Sequence, residues 1–254
     1  MFAALGHSQD HIDTLSMDNM RNRIIWGVLA FQGGWLNAGG FLATHRFVSH
    51  VTGFATQFGY DVARSQWLEA AGMLMVPVFF LIGSMISGYY VDREITAGRK
   101  PKYHILFFLI FFFLLLVFIL GSLNLFGPFG TNSNTDTEIK TNIILLSLLC
   151  LSCGIQNAGI TTASNNFVRT THLTGMTTDL GIGLVRMTSE ISHARKKLEL
   201  NKSQIRVILI ACFVLGSILA SYIFLNWHYL GFAMPCCISL GLYKMTLTIW
   251  KKND

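Results

Sequence analysis

The chain has 254 residues, of which 52% are hydrophobic and 13% are charged, and its mean hydropathy is +0.49. An average soluble domain carries roughly 25% charged residues, so this composition argues against a soluble globular enzyme, a disordered chain and a nucleic-acid-binding domain. The formal net charge of +6 fits a membrane protein with basic cytoplasmic loops. We therefore expect a lipid bilayer, and not nucleic acid, as the partner of this chain.

Residues 1–23 form a polar N-terminal segment without an early apolar core or a clear cleavage site. This pattern predicts a retained tail, because a secretory signal peptide needs an apolar central region. His7 and His11 have the i,i+4 spacing at which two helical side chains could share a metal ion. A flexible, solvated tail is the favoured interpretation, so no metal site is predicted.

Six later runs are apolar and long enough to cross a bilayer as helices. The run at Ile105–Leu120 consists of sixteen consecutive Leu, Ile, Phe or Val residues and is expected to face lipid. Pro77 and Pro235 lie inside two of the runs and should kink them. The six predicted spans are Ile24–Leu42, Trp67–Val91, Ile105–Leu120, Ile143–Thr162, Ile205–Leu225 and Tyr229–Trp250.

Two further segments, Val48–Arg64 and Thr170–Arg186, are rich in Thr and Gly and short for a full span. They belong to an internal repeat, since aligning Gly34–Gly59 with Gly154–Gly181 gives twelve identical pairs. The sequence therefore predicts two related halves, each with three spans and one short His-x-Thr-Gly segment. The predicted division is a tail (1–23), repeat 1 (24–126), a polar connecting loop (127–142), repeat 2 (143–250) and a C-terminal tail (251–254).

The distribution of Lys and Arg favours one orientation for these spans. If the two short segments do not cross the membrane and the N-terminus is cytoplasmic, 15 Lys and Arg residues lie inside and three lie outside, with Lys244 within the last helix. If both segments cross, the division becomes 12 inside and 6 outside. The positive-inside rule favours the first arrangement, which is an all-α protein of six transmembrane helices in two inverted three-helix repeats with both termini in the cytoplasm.

Asp179 is the most informative residue of the repeated segments, because the first half has Gln57 at the equivalent position. On a helix, His172 and Asp179 would share one face. A carboxylate at bilayer depth is costly and is usually retained for a function, so a proton- or cation-coupling site is one interpretation. The alternative is an interfacial carboxylate paired with Arg186.

Other polar residues of the repeat also have two interpretations. Asn37 and Asn157 could bind a substrate or join helices, and His50 and His172 could contact a substrate or donate to buried carbonyl groups. If the halves share one site, His50 and His172 should approach each other. The candidate substrate- or proton-binding residues are Asn37, His50, Thr52, Thr56, Gln57, Asn157, His172, Thr174, Thr178 and Asp179.

Three motifs resemble the YoaK family of bacterial inner-membrane proteins: Asn37-Ala-Gly-Gly-Phe-Leu, Phe47-Val-Ser-His-Val-Thr-Gly and Val168-Arg-Thr-Thr-His-Leu-Thr-Gly. The resemblance covers residues 24–250 and implies a six-span inner-membrane protein, with no established activity and no catalytic residues to carry over. The family usually has Asp where this chain has Asn37. It usually has Asn after Thr-Gly, where this chain has Phe54 and Met176.

Inverted repeats with partial helices are the usual plan of secondary transporters. The sequence therefore favours transport of a small solute, with proton coupling as an option. A membrane-embedded enzyme acting on a lipid or small molecule and a non-catalytic assembly factor are the alternatives. The chain has no Gly-x-Ser-x-Gly, His-Glu-x-x-His or Walker motif, so we expect no cofactor and do not favour an enzyme. A transporter requires a cavity between the halves that opens to one side.

Overall fold

The computed structural model describes residues 20–130, 135–189 and 193–252, and within these ranges the chain is helical without a strand. In the first half, α1 is Met20–Thr44, α2 is Val51–Ala63, α3 is Trp67–Ser87 and α4 is Tyr103–Ser122. Helix α3 continues through a π-helical turn, Gly88–Asp92, into a last helical turn, Arg93–Thr96. His7, His11 and most of the predicted tail lie outside these ranges.

The second half repeats this order of elements. Helix α5 is Asp136–Ala163, α6 is Leu173–Thr188, α7 is His193–Trp227 and α8 is Ala233–Lys252, with a 3-10 turn, His228–Phe232, between the last two. Five of the predicted apolar runs fall on the long helices, the sixth begins in the 3-10 turn and continues along α8, and the two short segments form α2 and α6. Pro235 lies in the first turn of α8, where proline is tolerated, so the predicted kink there is wrong.

Four stretches of the described chain are long and apolar enough to cross a membrane: Trp67–Thr96, Tyr103–Ser122, Asp136–Ala163 and His193–Lys252. The last of these contains both α7 and α8. Helix α1 is not among them, because polar residues and glycines dilute its apolar residues. By the length and composition of its helices, the chain is a multi-pass membrane protein.

The two repeated segments have the same local backbone. His50 precedes α2 with φ −101° and ψ 75°, and His172 precedes α6 with φ −104° and ψ 70°. His45 and Asn165, which the alignment pairs, both have positive φ, at 56° and 50°. The sequence repeat is therefore accompanied by a repeat of conformation at both bends.

Helices of the two halves pack on each other in matching pairs. Helix α1 packs mainly on α7, α5 packs mainly on α3, and α4 packs on α8. A Cβ atom at Gly34 would overlap the carbonyl oxygen of Phe213, and one at Gly154 would overlap the carbonyl oxygen of Phe80. Because these glycines have no side chain, the paired helices approach until backbone meets backbone.

The two ends of the helix bundle bring different residues together. At one end, α1 and α4 begin and α5 and α8 finish around a cavity, and we call it the cavity end. At the other end, the last turns of α1, the loop after α4 and the turn after α7 meet in a group of aromatic rings. We call it the aromatic end.

Candidate functional site

A cavity of about 330 Å³ opens at the cavity end among α1, α4, α5 and α8, so both halves contribute to it. Along α1 it extends from Arg21 to Leu29, which corresponds to about 12 Å at 1.5 Å per residue. The cavity therefore reaches well into the bundle. Its apolar walls include Ile25, Leu29, Leu106, Phe107, Ile110, Ile155, Ile160, Met245 and Ile249.

Positive and polar side chains surround the mouth of this cavity. Arg21 comes from the first turn of α1, Lys100 from the loop before α4, and His104 from the first turn of α4. The ring of His104 lies 5.0 Å from the ring of Trp250, centroid to centroid. No Asp or Glu is present among the described residues that line the cavity, so its lining is apolar with a basic mouth.

Two buried glutamine side chains make hydrogen bonds between helices, and one of them, Gln156, lines the cavity. Gln156, which lines the cavity and is 3% exposed, donates from Nε2 to the carbonyl oxygen of Leu29 at 2.9 Å and to Oγ1 of Thr170 at 3.2 Å. Gln32 donates from Nε2 to Oγ of Ser239 at 2.9 Å. In the part of the chain that the structure describes, the Oε1 atoms of both glutamines accept no hydrogen bond.

Aromatic side chains fill the opposite end of the bundle. Trp35 Nε1 donates to the carbonyl oxygen of Gly231 at 2.9 Å. The ring of Phe224 lies 4.7 Å from that of Phe232 and stacks at 5.8 Å on that of Phe129. We define the aromatic cluster as Trp35, Phe126, Phe129, Phe224, Tyr229 and Phe232.

The comparisons with known proteins give one match. A family described as a protein of unknown function, DUF1275, matches residues 25–245. The chain belongs to the DUF1275 family. This is the YoaK family, so the resemblance noted in the sequence is confirmed. No curated protein and no solved structure matches the chain.

This DUF1275 chain also has a second, polar cavity of about 320 Å³ near the aromatic end, at the end of α2 and the start of α3. Asp61 lines it and is 1% exposed. Its carboxylate accepts a hydrogen bond from Nε2 of Gln57 at 2.8 Å and pairs with the Arg46 guanidinium at 3.4 Å. Sequence reasoning missed Asp61, although it follows Gln57 at the helical i,i+4 spacing.

Of the ten predicted site residues, Gln57 is the one that lines either of these two cavities. Asn37 has a structural partner, because its Oδ1 accepts a hydrogen bond from Oγ of Ser49 at 3.2 Å. Asn157 is 8% exposed, and its Oδ1 has no hydrogen-bond partner among the described residues. The roles proposed for these side chains in binding stay predictions.

The two repeated histidines have separate surroundings. His50 is exposed, and its ring lies 5.9 Å from that of Phe47. His172 is half-buried, with its ring 6.4 Å from that of Phe80. Burial lowers the pKa of His172, and the nearby Arg169 guanidinium acts in the same direction. The ring contacts of the described chain therefore do not join the two histidines.

The remaining predicted residues lie on exposed surfaces of α2 and α6. Thr52, Thr56, Thr174 and Thr178 are all exposed. Asp179 has a side chain that is 57% exposed, and its carboxylate pairs with Arg206 at 3.6 Å. The sequence suggested Arg186 as its partner, but Arg186 pairs with Glu199 at 3.7 Å. The carboxylate does have a cationic partner, on α7 instead of α6.

Proposed function

We propose that this DUF1275 protein is a small-solute transporter that works by alternating access. The observation that carries the proposal is the contrast between the two ends of the bundle. Among α1, α4, α5 and α8 a cavity is open at one end, while the aromatic cluster closes the space between α1, α4, α7 and α8 at the other. The polar cavity near that end is lined instead by the ends of α1 and α2 and the starts of α3 and α5. A transporter needs such a one-sided cavity between its halves, because the solute must reach one side at a time.

Six spans are consistent with the helices. Helix α1 has 25 residues, about 37 Å at 1.5 Å per residue, which exceeds the roughly 30 Å of a bilayer core. Helices α7 and α8 count separately, because a 3-10 turn that begins at His228, with φ 49°, lies between them. Helices α2 and α6 have 13 and 16 residues, about 20 and 24 Å, and are short for a crossing.

The directions of the helices support an inverted repeat. The alignment pairs α1 with α5, and the order of elements makes α4 the counterpart of α8. Helices α1 and α4 begin at the cavity end, while α5 and α8 finish there. Each aligned pair therefore runs in opposite directions between the two ends, as an inverted repeat requires. The positive-inside rule applied to the basic loops favours a cytoplasmic cavity end, and we propose that the protein lies in this orientation in the inner membrane of a bacterium.

Movement of one half against the other would alternate access. Opening toward the opposite side would separate the rings of the aromatic cluster and bring the cavity walls together around Leu29 and Gln156. Proton coupling through Asp179 stays a separate prediction, because its exposed carboxylate lies outside the lining of both cavities.

Thiol labelling from each side of the membrane tests this proposal. In a chain whose five native cysteines are replaced, one cysteine is introduced at Ala163, in the cavity lining, or at Ser239, which is 0% exposed. The probe is a membrane-impermeant maleimide applied to vesicles of each orientation. We expect Ala163→Cys to react from the cavity-end side and Ser239→Cys to react slowly from both sides, because alternating access exposes the interior to each side in turn.

A control locates the route from the aromatic end. Adding Phe129→Ala should speed the labelling of Ser239→Cys from that side and leave the labelling of Ala163→Cys unchanged. If Ser239→Cys reacts from neither side while Ala163→Cys reacts from one, the cavity is static and the transporter proposal is wrong.

The same labelling tests the orientation of the six spans. Single cysteines introduced at Lys196 and at Asn124 should react from opposite sides of the membrane, and labelling of both from one side would overturn the six-span orientation.

A further inference from the structure

We infer that the cavity at the cavity end binds an amphipathic organic anion, with an apolar body of about ten non-hydrogen atoms and one carboxylate. The inference rests on the proposed function where it treats this anion as the transported solute. The binding site itself is argued from the size, the walls and the charge of the cavity.

The size of the cavity limits the ligand. The cavity has a volume of about 330 Å³. It lies at the lower end of the range for small-molecule sites, roughly 300–1,000 Å³. One aromatic ring or one medium-length alkyl chain with its acid group fits this volume, and the two acyl chains of a phospholipid do not.

The walls favour an apolar body. Phe107, Ile110, Ile155 and Ile160 come from α4 and α5, and Ile249 comes from α8. Burial of an apolar body among such side chains is favourable in proportion to the apolar surface removed from water. A fully polar solute would gain nothing from these walls and would lose its hydration.

The mouth favours a negative charge. Arg21 and Lys100 line it, and no carboxylate is present among the described lining residues. Both cations take part in other interactions as well, but a guanidinium has five N–H donors and can hold a carboxylate beside another partner. Because Arg21 lies in the first turn of α1, the acid group would stay near water, while the apolar body points toward Leu29.

The inner wall adds one polar contact. Gln156 lines the cavity beside Leu29, and its Oε1 has no donor within the described ranges. A hydroxyl or N–H group at the far end of the ligand would satisfy this atom, and a buried acceptor without a partner is destabilising. Anions that carry such a donor opposite the carboxylate should therefore bind more tightly than anions without one.

Equilibrium binding of phenylacetate to the full chain in phosphatidylcholine nanodiscs tests the inference. Radiolabelled phenylacetate is competed with phenylacetamide, which has the same shape without the charge, and with phenethylamine, which carries the opposite charge. We expect phenylacetate to bind at least about tenfold more tightly than either competitor. Equal affinity for the acid and the amide, or a preference for the amine, would overturn the inference.

Matched variants locate the site. Arg21→Gln should weaken phenylacetate binding about fivefold, the size of one solvent-exposed ion pair. Arg23→Gln removes the same charge from the same helix at a residue outside the lining and should leave binding within about twofold. Ala163→Phe should abolish binding by filling the cavity, with gel filtration confirming the fold. Equal losses in Arg21→Gln and Arg23→Gln would show a nonspecific charge effect and refute this site.

Two further comparisons distinguish a lipid site from an anion site, and the ligand class from the transport mechanism. Nanodiscs that contain phosphatidylglycerol should bind phenylacetate as tightly as before, and abolished binding would assign the cavity to an anionic lipid and overturn the inference. If Ser239→Cys reacts from both sides but phenylacetate does not bind, the transporter proposal holds and the ligand class is wrong. If phenylacetate binds at Arg21 but Ser239→Cys reacts from neither side, the ligand site holds and transport is wrong.

Discussion

The two ends of this bundle are formed by aligned segments of the repeat but are packed differently. At the aromatic end, Phe224 and Phe232 are 0% exposed, and their rings lie 4.7 Å apart. At the cavity end, the corresponding space between α4 and α8 is open and lined by half-buried side chains such as Phe107 and Met245. Related halves can therefore close one end of a shared interface while the other stays open.

This difference shows where the packing energy of the protein is concentrated. Aromatic side chains bury large areas, and ring pairs add roughly 0.5–1.5 kcal/mol beyond area burial. The aromatic end is stabilised by this contribution, and the cavity end is not. A ligand in the cavity, or a change of conformation, would supply the missing contacts. Matched substitutions should therefore lower the free energy of unfolding more at the aromatic end than at the cavity end.

The largest expected effect is that of Phe224→Ala. Removing this fully buried ring should lower the free energy of unfolding by about 3–5 kcal/mol, because it leaves a void among packed aromatic rings. Phe107→Ala at the cavity end is the matched substitution and should cost about half as much, since one side of that ring already faces the cavity. SDS titration followed by circular dichroism measures both. Equal losses would show that the two ends are packed equally well.

A buried ion pair and an exposed ion pair give a second comparison. Asp61→Asn, near the aromatic end, should cost about 2 kcal/mol, because it removes the negative partner of Arg46 from a buried network. Asp179→Asn should cost less than about 1 kcal/mol, because that carboxylate is exposed beside Arg206. The same titration measures both variants. A larger loss for Asp179→Asn would show that the exposed pair stabilises the protein more than the buried one does.

The smallest expected effect concerns one hydrogen bond. Trp35→Phe keeps most of the ring but removes the Nε1–H donor to the Gly231 carbonyl, and should cost about 1 kcal/mol. Trp250→Phe, beside His104 at the cavity end, should change stability by less than this amount. The midpoint of thermal unfolding, monitored by circular dichroism, orders the two variants. A larger shift for Trp250→Phe would reverse the proposed order of the two ends.

The helices and the repeat could be predicted from the sequence because both depend on local information. An apolar run of about 20 residues is helical in a bilayer whatever its neighbours are, since its backbone groups must bond within the segment. The matched bends at His50 and His172 likewise follow from short identical motifs. The partner of Asp179 could not be predicted, because Arg206 lies 27 residues further along the chain.

The sequence by itself determined the class of protein, the positions of its long helices and the presence of two related halves. The tertiary structure decided where the polar residues lie. Gln156 faces a cavity and Asp61 is buried in a second one because helices distant in sequence pack beside them. Helical periodicity gives the spacing of residues on a face, but it does not tell which neighbour that face meets. Contacts such as that of Gln32 with Ser239, 207 residues apart, exist only once the helices have packed.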